Sequence, residues 1–170
     1  VGNNSSGSTS IRYGVTRDKV IAIDALLSDG SKATFSEISS QEFRKKTTQD
    51  DLEGKIYKSI FFELSSKETQ DEILKEFPKE AIHRRNTGYA VDEFLTSNLF
   101  GGEDDTVNTA KFLSGSEGTL AFMTAITIQL DDLAPTHSIM VTPHFTSVNE
   151  SLKATITTMN HNLFTCELMD

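Results

Sequence analysis

Three short stretches carry residue types and spacings suited to holding a phosphate-bearing ligand. The first is Gly2-Asn3-Asn4-Ser5-Ser6-Gly7, followed by Arg12-Tyr13-Gly14. Glycine and asparagine tolerate backbone geometries that turn successive N–H groups inward, and such a nest can hold a pyrophosphate without net positive charge. The second is Gly115-Ser116-Glu117-Gly118-Thr119-Leu120. Its two glycines, three apart, let backbone approach a ligand, while Ser116, Glu117 and Thr119 offer hydrogen bonds to the hydroxyls of a polyol or phosphate linker. It lacks the lysine of a triphosphate-binding loop and the strand–loop–helix order of a dinucleotide fingerprint, which disfavours a nucleoside triphosphate. The third, Arg84-Arg85-Asn86-Thr87-Gly88-Tyr89, concentrates two cations, an amide, a hydroxyl and an aromatic ring. Each has an ordinary alternative when taken singly: a solvated N-terminal loop, a tight turn entering a strand, and a solvated cationic face with Tyr89 in the core.

Other chemistries find little footing. His83, His137, His144 and His161 form no i,i+4 pair and have no Cys or acidic partner at ligand spacing. No catalytic residue is nominated, because no Ser-His-Asp or Cys-His arrangement rises above chance. Asp50-Asp51 and Glu103-Asp104-Asp105 read as solvated charge. The single cysteine, Cys166, allows no disulfide framework within the chain and cannot assemble an iron–sulfur cluster, which needs about four ligands.

The 170 residues, 36% hydrophobic and 24% charged, are enough for one respectable core. Sixteen basic against twenty-five acidic residues give a net charge of −9, so affinity for nucleic acid or an anionic membrane is not expected and an anionic ligand must be held locally. No apolar run approaches the roughly 18 to 20 residues of a membrane span, so no integral membrane segment is expected. The single cysteine suits an intracellular, reducing location, read as cytoplasmic. Because the chain opens on Val1 inside the first loop, without Met, it reads as part of a longer protein.

The loops require elements to position them. Val20 to Leu27 reads as a strand that ends at the turn signal Ser28-Asp29-Gly30, with Lys32 to Phe35 returning antiparallel. From Ser36 the pattern becomes helical, predicting two or three helices over 38–76, with Pro78 stopping the run. Tyr89, Val91, Phe94 and Leu95 share a face of a short amphipathic stretch, and Gly101 to Asn108 breaks order. Leu120 to Leu130 predicts a strand of about ten residues with Phe122, Thr124, Ile126 and Ile128 on one side. Beyond Pro135, Ser138 to Phe145 and Leu163 to Leu168 read as strands around a helical Val148 to Met159.

The three loop motifs occur in the order found in FAD-linked oxidases of the vanillyl-alcohol-oxidase type, with a PCMH-type FAD-binding domain, the group containing D-lactate, glycolate and 2-hydroxyglutarate dehydrogenases. The chain resembles the second half of their FAD-binding domain over residues 1–133 and the beginning of the C-terminal cap domain over 134–170. Residues 36–80 are the least matched. The RRNTGYA stretch and the expanded segment before Gly115 resemble the subgroup that carries a C-terminal iron–sulfur domain. Ala121 stands where the family commonly has Gly, and Ala125 where Glu is usual.

The resemblance implies an α+β fold, a mainly antiparallel sheet of about five strands flanked by helices; parallel strands in Rossmann order would overturn it. It implies FAD as cofactor, held by Gly2, Asn3, Asn4, Ser5, Ser6 and Gly7, with Arg12 and Tyr13 as supports, and by Asn86, Gly88, Tyr89, Gly115, Ser116, Glu117, Gly118 and Thr119. A small 2-hydroxy acid and an electron acceptor are the implied partners, with an iron–sulfur cluster expected only in a downstream domain. The first flavin subdomain and the histidine-rich substrate site of the family have no counterpart here, so the fragment alone is expected to be inactive and to bind FAD weakly. The rivals are a non-catalytic binding or assembly module of the same fold, and a flavin-dependent reductase acting on nucleotide sugars.

Overall fold

The computed structural model describes residues 1–79, 81, 82, 84, 85 and 88–169. After the first loop comes a single helical turn, α1 (Ser10–Tyr13), and a 3-10 turn, Thr16–Lys19. The hairpin forms as its sequence dictates, with β1 (Val20–Leu26) antiparallel to β2 (Lys32–Ser39). Asp29 closes the turn by accepting from the Ser31 N–H and hydroxyl at 2.9 and 2.6 Å, and Gly30 supplies the left-handed step at φ +84°.

Two further strands complete the sheet: β3 (Thr106–Asn108) and β4 (Phe122–Ile128), in the order β3-β2-β1-β4, every pair antiparallel. Among the described residues the sheet has four strands, where about five were expected. The expectation of helix from Ser36 also fails, because Glu37, Ile38 and Ser39 pair with Asn108, Val107 and Thr106 and prolong β2. The Gly101 to Asn108 stretch therefore ends in a strand rather than in irregular chain.

Three helices follow the hairpin: α2 (Ser40–Lys46), α3 (Leu52–Leu64) and α4 (Lys67–Glu76). Each begins at a side chain that satisfies an otherwise orphaned N–H: Ser39, Asp51 and Ser66 accept from Glu42, Gly54 and Thr69. Pro78 lies just beyond α4, where its missing N–H cannot extend the helix. After 3-10 turns at Val91–Thr96 and Asn98–Phe100 and the short α5 (Ala110–Leu113), the chain enters β4.

Val20, Ile23, Ala25, Ala33, Phe35, Ile38 and Val107 of the sheet are buried against Phe43, Tyr57, Phe94 and Phe100. Phe43 packs edge-on against Tyr57 at 4.9 Å and Phe100 at 5.9 Å, a geometry that sets ring edge against ring face. Two irregularities tune β1 against β4. Ile21 is skipped between the pairs Val20↔Ile128 and Ala22↔Thr127, and Thr124 between Asp24↔Ala125 and Ala25↔Met123. Such bulges shift the alternation of faces, so Phe122 stands opposite Leu26 whereas Ile126 and Ile128 stand opposite buried Ile23 and Val20. The expected single face of Phe122, Thr124, Ile126 and Ile128 is broken at Thr124.

Beyond β4 only one further element forms among the described residues, α6 (Val148–Thr158), capped by Ser147. The strands expected over Ser138 to Phe145 and Leu163 to Leu168 are absent. A strand needs an edge to pair with, and no described strand lies beside either stretch. No described helix is long and apolar enough to cross a membrane.

Candidate functional site

The first loop is built around Asn4. Its backbone is left-handed at φ 49°, its N–H donates to Val1 O at 2.9 Å, and its fully buried side chain accepts from the Arg17 N–H at 2.7 Å. Around it Asn3, Ser5 and Gly7 are exposed, with Gly2 and Ser6 half-buried. The Ser5 carbonyl is fixed by the Thr16 N–H and hydroxyl at 3.3 and 2.7 Å, and the Gly7 carbonyl by the Ser10 N–H and hydroxyl at 3.0 and 2.7 Å. With these carbonyls held toward the protein, the N–H groups of Ser5, Ser6 and Gly7 donate to no described residue.

The second loop leaves α5 at Ser114 and runs through three consecutive or near-consecutive left-handed residues, Gly115 at φ 92°, Glu117 at 52° and Gly118 at 79°. Glu117 pays a steric penalty there that glycine avoids. The turn is closed by Ser116 N–H to Leu113 O at 3.1 Å and by the Thr119 N–H and hydroxyl on Ser116 O at 3.0 and 2.5 Å. Ser114 and Ser116 are buried, and their hydroxyl oxygens have no hydrogen-bond partner among the described residues. Glu117, Gly118 and Thr119 are exposed. A Cβ added at Gly118 or at Gly7 would meet nothing within 4 Å, so backbone is open to an approaching molecule at both.

More than a hundred residues apart in sequence, the two loops meet. Glu117 N–H donates to Gly2 O at 2.8 Å and Gly115 N–H to Val1 O at 3.3 Å. The third motif joins them through Tyr89, whose hydroxyl lies 2.8 Å from Thr119 Oγ1. Because that oxygen already donates to Ser116 O, Tyr89 is the donor. Its ring packs edge-on against Phe112 at 5.9 Å, which packs on Phe94 at 5.4 Å, so the hydrophobic core itself aims this hydroxyl. At 41% exposure Tyr89 is no core residue. Gly88 is exposed at φ 67°, and Asn86, with Thr87 and His83, lies outside the described residues.

Arg12 and Tyr13 turn away from this junction toward the end of the chain. Arg12 donates to Asn162 Oδ1 at 2.6 Å and stands 4.2 Å over the Phe164 ring, which also meets Tyr13 at 6.1 Å. Of the two arginines in the third motif, Arg84 is exposed, while Arg85 pairs with Asp92 and, at 2.8 Å, with Glu93; Glu93 also holds Lys111 at 3.2 Å.

A residue not singled out in the sequence sits behind both loops. Arg17, 4% exposed, donates through Nε to Lys111 O at 3.2 Å and through Nη2 to Ser114 O at 2.8 Å. Burial holds its pKa below the ordinary arginine value, with the Glu93 carboxylate opposing that shift. Its only sequence hint was a position between the apolar Val15 and Val20, which are both buried.

The arrangement is a cradle of backbone donors and hydroxyls rather than a set of acids, bases or nucleophiles. It suits a ligand that presents phosphate and hydroxyl oxygens.

No protein-family model matches the chain, and no solved structure matches it. Curated relatives do. The D-2-hydroxyglutarate dehydrogenase of Haemophilus influenzae is 25% identical over 173 residues, covering 100% of this chain and 16% of that protein. Those of Pantoea ananatis and Escherichia coli are 27% and 26% identical over 133 residues, covering 78% of this chain and 12% of each protein. The chain is a distant relative of one stretch of these proteins and spans about a sixth of their length or less.

Proposed function

We propose that this chain supplies one wall of an FAD site in a dehydrogenase that oxidises a small 2-hydroxy acid of the D-lactate, glycolate or 2-hydroxyglutarate type and passes electrons to an acceptor. The observation that carries the reading is the convergence of the three motifs: Gly2 with Glu117, Val1 with Gly115, and Tyr89 with Thr119. The names of the distant relatives support it independently.

The residues present fit such a ligand. The N–H groups of Ser5, Ser6, Gly7 and Gly118, which donate to no described residue, can meet phosphate oxygens, and the exposed Thr119 can meet a polyol or linker. Asn3, Gly88 and Glu117 complete the exposed rim, while Asn4 serves by holding the first loop in its left-handed turn. When bound, a flavin supplies acceptance of a hydride from the substrate α-carbon, and the protein supplies orientation and electrostatics. In this reading residues 1–133 are the second half of a PCMH-type FAD-binding domain and 134–170 begin a cap domain, whose apolar stretches have their partners elsewhere in the polypeptide.

The experiment is titration of FAD, by visible absorbance and calorimetry, into this chain alone and with the polypeptide encoded upstream supplied in trans. One wall leaves a ligand far short of the roughly 70 to 90% burial of a complete pocket, so weak or no binding alone and clear binding with the upstream piece is the expected result. If the two pieces form a complex that still takes no FAD, the fold serves as a binding or assembly module.

A further inference from the structure

Resting on the flavin reading above, we infer that Arg17 is a positioning residue: it fixes the separation of the two glycine loops and through it the affinity for the dinucleotide. Arg17 bonds both to the body of the first loop and to the stem of the second. Its N–H donates to Asn4 Oδ1 at 2.7 Å, while Nε and Nη2 reach Lys111 O and Ser114 O at 3.2 and 2.8 Å. Those two carbonyls lie at the C-terminal end of α5, where helix carbonyls lack intrahelical partners and a cation is favoured.

The loops close directly onto this guanidinium. A Cβ at Gly115 would stand 3.0 Å from Arg17 Nη2 and 3.4 Å from Asn4 Cβ, so the missing side chain is what lets the second loop rest on Arg17 and Asn4 together. Two acceptors in different directions need the planar fork of arginine; lysine keeps the charge but offers a single point of donation. Donors on opposite loops act on one ligand only if their spacing is held to about 0.5 Å, which a buried and doubly bonded side chain does and a solvated one does not. Arg17 touches no ligand in this scheme and acts through Asn4 and the Ser114-Gly115 backbone.

The test uses Arg17→Lys and Arg17→Met in the full polypeptide that carries this sequence, read by FAD titration, thermal melting and hydrogen exchange at the Gly115 and Glu117 amides that bridge the loops. Arg17→Lys is expected to weaken FAD binding about tenfold or more and to speed exchange at both amides about tenfold, with the melting temperature within about 3 °C of wild type. Failure of lysine to rescue separates geometry from charge. If Arg17→Met does not fold, Arg17→Gln, which keeps a side-chain amide donor but loses the fork, should reproduce the exchange change. FAD affinity within twofold of wild type in Arg17→Lys overturns the inference, as does weakened binding that tracks loss of folding with no change at the two amides. Absence of FAD binding by the wild type overturns the flavin reading instead, and the exchange measurements then decide the bracing role alone.

Discussion

The body built on the sheet and the stretch beyond β4 both carry many large apolar side chains, yet they treat them in opposite ways. Ile23 and Phe43 are fully buried, whereas Leu133 and Ile139 are 97% and 91% exposed. Even α6, with a capped N-terminus, presents Val148, Leu152, Ile156 and Met159 to the outside at helical spacing. Apolar periodicity is enough to shape a helix, but burial requires a surface for it to face, and hydrophobic stabilisation scales with the area removed from water. The body has that surface because the sheet presents Ile23, Phe35 and Val107 to the aromatic cluster of Phe43, Tyr57, Phe94 and Phe100. The C-terminal stretch touches the body around Arg12 and Tyr13 and, close behind β4, through the Lys19–Asp131 pair at 2.7 Å.

The largest contrast should come from truncating one apolar side chain in each region. Phe43→Ala removes the ring on which Tyr57, Phe94 and Phe100 all pack and should cost about 3–5 kcal/mol of stability. Ile139→Ala should change stability by no more than about 0.5 kcal/mol, as for an exposed position. Urea unfolding of both variants decides the matter; a comparable loss in each would mean that the C-terminal stretch is packed in solution.

The same division decides what was legible in the sequence. The β1–β2 hairpin was readable because its alternation and its Ser28-Asp29-Gly30 turn are local, and the helices of 38–76 because their caps and periods are local too. The strand β3 was not: Thr106-Val107-Asn108 becomes a strand by pairing with Glu37 to Ser39, a tertiary fact. Ser138 to Phe145 failed in the other direction, having the composition of a strand with no described edge to join. At the candidate site the motifs were visible because glycine, asparagine and serine announce unusual backbone. The division of labour within them was not: Asn4 turns its side chain inward onto Arg17, and Arg17 acquires its place only when the fold brings Lys111 and Ser114 beside it.

A middle-sized effect should appear in the body at alkaline pH. Tyr57, 1% exposed and donating to Thr109 Oγ1 at 3.3 Å, has its pKa pushed up from 10 to about 12, chiefly by burial. A folded-state pKa above the unfolded one gives stability that is complete below the unfolded value and is lost as pH rises through the folded one. Wild type should therefore lose about 2–3 kcal/mol between pH 10 and pH 12 that Tyr57→Phe does not lose. Parallel pH profiles of melting temperature for the two proteins would contradict this, and would place Tyr57 in water during the titration.

The smallest expected effect tests the contact between the regions. Arg12 is exposed and meets the C-terminal stretch through one hydrogen bond to Asn162 and one ring face, Phe164. Neither contact reaches the sheet core, so Arg12→Ala should leave the melting temperature within about 2 °C of wild type. Its consequence should instead be local: with one tether gone, residues 134–169 should be cut faster by a low dose of protease, while the body from β1 to β4 resists as before. A melting temperature that fell as far as that of Phe43→Ala would make the two regions a single cooperative unit. A cleavage rate unchanged from wild type would assign the docking to Tyr13 and the buried Ser151 instead.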